Sequence, residues 1–220
     1  LDAETGRQEY RRLVATADVV LETFEPGQLD ERGLGYTALA ALQPGLIHCA
    51  ITPFGQTGPY AHYRAGDLVV VAMGGNMAAT GEPNRPPVRP SLPSAYFHAG
   101  PEAVLAVFMA LSERERTGKG QFVDVSLQET QLQTLLSGPG QYPLTQRLPE
   151  RAGARLGRTR EIWHALDGMV SYGLRGGPAR IPNLRTTVAW MNECKMASAW
   201  LLDFDWTQYS HLEISSEDLA

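Results

Sequence analysis

An α/β fold is predicted by three features of this 220-residue sequence. Helical apolar spacing followed by a β-branched run occurs twice before Pro53, a third such join falls around Gly118, and glycine or proline punctuates the second and third changes of period. Repeated helix-then-strand order favours a Rossmann-like parallel sheet with helices on both faces. Ligands of such sheets gather beyond the carboxyl ends of the strands, which here means the loops ETFEPGQ (22–28) and PFGQTGPYAHYRAGD (53–67).

Residues 3–16 carry Tyr10, Leu13 and Val14 at helical spacing, and Asp18 then opens the β-rich run DVVLETF. TALAALQPG reads as a short helix stopped by Pro44-Gly45, and LIHCAITPF as a buried strand ending near Pro53. From Asp67 to Thr80 the pattern predicts one helix, with Gly74-Gly75 permitting close approach of a neighbour rather than breaking it. The segment GEPNRPPVRPSLP is a loop, an extended strap of restricted φ. Pro101 is placed in the first turn of the next helix, and Val104, Leu105, Phe108 and Leu111 are expected to form its packed face up to Thr117-Gly118. In QFVDVSLQE, Phe122 and Asp124 alternate with Val123 and Val125 as strand residues do.

Charge density rises over residues 146–160, an exposed connection. WHALDGMVSYGL reads as a hairpin turning at Asp167-Gly168, IPNLRTTVAWMNECKMASAWLLDFDW as mostly helical, and SSEDLA as the start of a further helix. The predicted organisation is a large domain over 1–150 and the start of a smaller α+β domain over 151–220. Both ends read as cut, because Leu1 already stands in a helical pattern.

Composition narrows the class of partner. With 43% hydrophobic and 20% charged residues the chain can bury one substantial core, and its net charge of −5 argues against broad attraction to nucleic acid. The apolar run Leu68 to Met73 is far too short to span a bilayer, and LDAETGRQEYRR lacks the basic-then-apolar order of a signal peptide, so a cytoplasmic protein without membrane association is expected. Cys49 and Cys194 stand apart from each other and from any Cys/His cluster, which predicts neither a disulfide framework nor a metal site.

Two stretches, LIHCAITPFGQTGPYAHYRAGD (46–67) and ERERTGKGQFVDVSLQE (113–129), resemble the class III CoA-transferases, the family of the carnitine and formyl-CoA transferases and the α-methylacyl-CoA racemases. The resemblance covers nearly all of this chain, which corresponds to the middle of a family member. It implies coenzyme A or acyl-CoA as substrate, a carboxylic acid acceptor, no metal, and a dimer of interlocked rings. It also implies a nucleophilic aspartate that attacks an acyl-CoA thioester and expels the CoA thiolate. The thiolate then opens the mixed anhydride, leaving an aspartyl thioester for the incoming carboxylate.

In the family that aspartate stands in a segment like P-x-x-D-x-x-x-G, whereas this chain reads Pro93-Ser94-Ala95-Tyr96-Phe97-His98-Ala99-Gly100. A phenol with a pKa of about 10 is a poor substitute without an adjacent base, so Tyr96 is expected to fill the vacated pocket rather than to react. Asp67 is the second catalytic candidate, with a helix N-cap as its structural alternative. Gly66 precedes it where the racemases carry a catalytic histidine, which argues against racemase chemistry. His98, lacking a partner in sequence, is read as a surface or core residue.

By the same resemblance, Thr23, Phe24 and Glu25 would border the adenosine and pantetheine of CoA, and Tyr63, Arg64, Ala65 and Gly66 its phosphate end. Arg64 suits a bidentate phosphate contact. Glu25 and Glu31 depart from the family's polar or cationic residues, with Arg32 either a substitute for the latter or a solvated residue. The run Arg175-Gly176-Gly177-Pro178-Ala179-Arg180 is similar to the glycine loop of formyl-CoA transferases, or is a plain hairpin exit. The expectation is a CoA-transferase subunit that binds acyl-CoA while a partner carries the aspartate, as in heteromeric members such as benzylsuccinate CoA-transferases. A non-catalytic assembly or regulatory homologue, and a lyase or hydrolase using Asp67, are the alternatives.

Overall fold

The computed structural model describes residues 1–135, 138–148, 150–156 and 159–210. The helix expected at SSEDLA lies outside them. Two compact units are present, the first formed by Leu1–Thr80 with Pro87–Glu150, the second by Gly81–Pro86 with the described residues from Arg151 onward.

The first unit opens with α1 (Glu4–Val14), β1 (Val19–Glu22), α2 (Gln28–Glu31), α3 (Tyr36–Leu42) and β2 (Ile47–Thr52). It continues through α4 (Asp67–Met73), α5 (Asn76–Ala79), α6 (Ser94–Thr117), β3 (Gln121–Ser126), α7 (Leu127–Leu132) and α8 (Gly138–Thr145). The three strands are parallel in the order β1-β2-β3, with Val20, His48 and Phe122 in one register row and Leu21, Cys49 and Val123 in the next. Successive rows point to opposite faces of the sheet, which sorts the core into two layers. Val14, Leu29, Leu34, Leu39 and Leu46 pack with Val20 on one face; Val70, Val71, Ala95, Ala99, Ala103 and Leu127 pack with Cys49 and Val125 on the other. The Rossmann-like α/β reading is therefore correct. Central β2 is buried at all but one of its six positions, as a strand covered on both faces must be.

Two helix expectations need correction. The predicted helix from Asp67 to Thr80 is two, α4 and α5, because Gly75 takes φ +86 and turns the chain. Close approach occurs there as well, since a Cβ on Gly74 would sit 2.5 Å from Cβ of Gln131 in α7. Helix α6 begins at Ser94, not near Pro101, so the proline lies inside it. Its packed face is Ala95, Ala99, Ala103 and Ala110, whereas Val104, Leu105 and Phe108 are exposed. Ala95, Ala99 and Ala103, at intervals of four, let the helix backbone approach the sheet closely, and the bulky side chains then project outward. By length and composition alone α6 could cross a membrane. Its alanine stripe instead seats it on β2 and β3.

The second unit holds two short antiparallel pairs, β4 (Arg155–Leu156) with β5 (Thr159–Arg160) and β6 (Ile162–His164) with β7 (Met169–Ser171). The latter is the hairpin expected around Asp167-Gly168. Helices α9 (Ile181–Glu193) and α10 (Ala199–Asp203) follow, and Leu184, Val188, Trp206 and Tyr209 form this unit's core.

Candidate functional site

Two cavities adjoin at the carboxyl ends of β1 and β2, sharing Thr23, Pro53 and Ala65. The first, about 220 Å³, is lined by Thr23–Pro26 from one predicted loop and Ala61–Ala65 from the other. The loop after β1 is bent inward by its own residues: a Glu22 carboxylate oxygen accepts the Phe24 N–H at 2.6 Å, Pro26 restricts φ, and Gly27 at φ +84 turns the chain into α2. Phe54 packs on Tyr60, and Tyr60 edge-on against Tyr63, so an aromatic chain props up the second loop. Six of the seven predicted binding residues, Thr23, Phe24, Glu25, Tyr63, Arg64 and Ala65, therefore meet at one cavity. The seventh, Gly66, is the N-cap of α4.

Charge in this cavity is balanced. Arg64 Nε lies 3.3 Å from Glu25 Oε1, a contact joining the two loops through largely exposed side chains. Arg32 does not face this cavity; it pairs with Asp2 at 3.1 Å and donates to the Gln28 carbonyl at 2.9 Å.

The second cavity, about 420 Å³, is bounded by Thr23, Ile51, Pro53, Ala65, Tyr96, Ala99, Gly100 and Leu127. Its wall is mostly apolar. Tyr96 is 53% exposed and stands on this wall, so it borders the space without filling it, contrary to expectation. The reason is its place in the first turn of α6, where the adjacent Ala95 and Ala99 take the inward positions. His98 is exposed.

Asp67 is 9% exposed and is held from two sides. One carboxylate oxygen accepts the Ala95 N–H at 3.0 Å, and the other lies 3.6 Å from Arg89 Nε on the proline-rich strap. It is the first residue of α4, whose N-cap is Gly66, so it does not cap its own helix. It closes the start of α6 instead, satisfying one of the N–H groups a helix leaves free. Sequence reasoning missed Arg89, since nothing local distinguishes it from Arg85 on the same strap.

A further cavity of about 400 Å³ opens on the opposite sheet face, with Tyr36, His48 and Phe122 packed ring to ring and Glu22 beside them. His48 is 1% exposed, its Nε2 lying 3.9 Å from Glu22 Oε1. Burial lowers the His48 pKa against a smaller opposing pull from Asp30, and burial raises that of Glu22. Cys49 is a free thiol whose pKa is pushed up to about 11, chiefly by burial, and Cys194 is free and exposed. Among the described residues no group of three or more His, Cys, Asp or Glu side chains is placed to hold a metal ion.

Ligands of parallel α/β sheets gather beyond the carboxyl ends of the strands, and it is there that the paired loops and the start of α6 converge. Residues 1–189 match the model of CoA-transferase family III, and the chain belongs to that family. It is 43% identical over 148 residues to the succinyl-CoA–D-citramalate CoA-transferase of Chloroflexus aurantiacus, covering 67% of this chain and 37% of that protein. It is 32% identical over 214 residues to subunit BbsE of the succinyl-CoA:(R)-benzylsuccinate CoA-transferase of Thauera aromatica, covering 96% of this chain and 51% of the subunit. The crystal structure of a CAIB/BAIF family protein from Brucella suis superposes with a TM-score of 0.71 at 35% identity, over 91% of this chain and 53% of that one. The chain thus spans between about a third and about half of these proteins.

Proposed function

We propose that this chain is the acyl-CoA-binding part of a class III CoA-transferase subunit, acting in CoA transfer between carboxylic acids with the catalytic aspartate on a partner subunit. The observation that carries this reading is Tyr96 at the head of α6, on the wall of a cavity that shares Thr23, Pro53 and Ala65 with the loop pocket. The pocket is retained while the residue at the nucleophile position is a phenol. In the proposed arrangement the phosphates lie toward Arg64, the thiol arm passes Thr23 and Ala65, and the acyl group enters the apolar space beside Ala99, Gly100 and Tyr96. Residues 1–150 would serve as the CoA-binding domain and 151–220 as the connection to a smaller one. Assembly with a homologous subunit accords with the relationship to a chain named as a subunit.

The alternative in which Asp67 attacks the thioester is disfavoured by its surroundings, because Asp67 is 9% exposed, spends one carboxylate oxygen on the Ala95 N–H and does not line either strand-end cavity. Hydroxylamine trapping tests the choice. Incubated with succinyl-CoA and hydroxylamine, the protein alone should form no hydroxamate, and a homologous subunit bearing the aspartate should form one when mixed with it. An adduct on Asp67 or Tyr96 would reject the reading.

A further inference from the structure

We infer that Glu25 sets the affinity of the loop pocket for phosphate, holding it below what Arg64 alone would give. The inference rests on the CoA reading and concerns a residue acting against the ligand. Among the residues lining this pocket, Arg64 is the one guanidinium and Glu25 the one carboxylate, and they face each other at 3.3 Å. Glu25 is carried to the mouth of the pocket by the bend that Glu22 and Gly27 impose on its loop.

Both side chains are mainly in solvent, 89% exposed for Arg64 and 65% for Glu25, so the pair does little for stability. Its consequence is for an anion arriving at Arg64. The guanidinium is already engaged at Nε, and a carboxylate stands a few ångströms away, well inside the Debye length of about 10 Å at 0.1 M salt. A phosphate must displace Glu25 or bind beside it, and either course meets like-charge repulsion. Removing the charge while keeping the shape, as Glu25→Gln does, frees Arg64 and abolishes the repulsion.

Titration calorimetry on the protein expressed from its complete reading frame tests this, with CoA and with pantetheine, which has the thiol arm but no phosphate. Glu25→Gln should tighten CoA binding on the order of threefold to tenfold at low ionic strength, less at high salt, and leave pantetheine unchanged. Glu25→Lys should tighten CoA binding further, while Glu25→Asp, which keeps the charge, should not reproduce the gain. CoA binding that weakens in Arg64→Ala but does not respond to Glu25→Gln overturns the inference and leaves the CoA reading standing. Equal tightening toward CoA and pantetheine overturns it too, since that marks a change of loop shape. Failure of every form to bind CoA overturns both.

Discussion

The carboxylate of Asp67 accepts a hydrogen bond from the backbone N–H of Ala95 at 3.0 Å, across 28 residues of sequence. Through it, the start of α4 holds the start of α6 and so fixes the turn on which Tyr96 stands. The same carboxylate lies against Arg89, which ties the proline-rich strap to both helices.

Replacing Asp67 by Ala should leave the Ala95 N–H without its acceptor and Arg89 without its counter-charge. The expected loss is roughly 1–3 kcal/mol by urea denaturation, with Asp67→Asn, which keeps an acceptor, costing less. Hydrogen–deuterium exchange should quicken at residues 94–97 and not in β2. Exchange unchanged at the start of α6 would show that the contact does not hold it.

Two glycines near the site should respond in opposite directions. A Cβ on Gly74 would meet Gln131 Cβ at 2.5 Å and two backbone oxygens at 3.1 Å, so Gly74→Ala should destabilise by about 1–3 kcal/mol. Gly100, inside α6 with nothing within 4 Å of the added carbon, should gain roughly 0.5–1 kcal/mol as alanine while narrowing the apolar cavity it lines. Paired thermal melts decide between these signs.

Burial of His48 and Glu22 predicts two opposing pH effects. His48 has a folded pKa lowered from 6.5, so the unfolded chain binds its proton first and stability is lost as pH falls below about 6.5 toward the lowered value. Glu22 has a folded pKa raised from 4.5, so its contribution is present at low pH and is lost as pH rises above about 4.5 through the raised value. The groups facing them include Asp30, acting on both, and Asp124, acting on Glu22. Denaturation of His48→Gln across pH 4 to 7 should show less loss on the acid side, and Glu22→Gln less loss as pH rises.

Much of this fold was legible because its signals are local. The spacing of Tyr10, Leu13 and Val14, the stop at Pro44-Gly45 and the β-branched strand runs each report on a few neighbouring residues, and they became α1, the end of α3 and the sheet. The start of α6 was not legible, because its acceptor lies in α4 and the local sequence shows a proline instead. Its packed face was misread for a related reason: bulky Val104, Leu105 and Phe108 drew attention from the Ala95-Ala99-Ala103 stripe that governs how closely the helix can approach. The loop pocket was readable from strand-end logic and resemblance. The Glu25–Arg64 and Asp67–Arg89 pairs were not, since charge partners across loops leave no periodic trace.

Under the proposed function, converting Tyr96 to Asp should supply a nucleophile, and the fold is suited to accept it. The position is the third residue of α6 and 53% exposed, so the new carboxylate meets the positive end of the helix macrodipole without full desolvation. Stability should be unchanged or raised by about 0.3–1 kcal/mol, provided repulsion from nearby Asp67 is offset by Arg89. Chemically, the carboxylate would stand on the wall of the apolar cavity, where the proposed acyl group enters. It should attack the thioester carbonyl and expel CoA as thiolate, leaving a mixed anhydride; the thiolate then attacks the aspartyl carbonyl and expels succinate, and hydroxylamine traps the resulting aspartyl thioester as a hydroxamate at residue 96. Peptide mass spectrometry after incubation with succinyl-CoA and hydroxylamine reads this directly, with Tyr96→Asn as the uncharged control. A folded, CoA-binding Tyr96→Asp protein that traps nothing would overturn the proposal that Tyr96 stands at the nucleophile position.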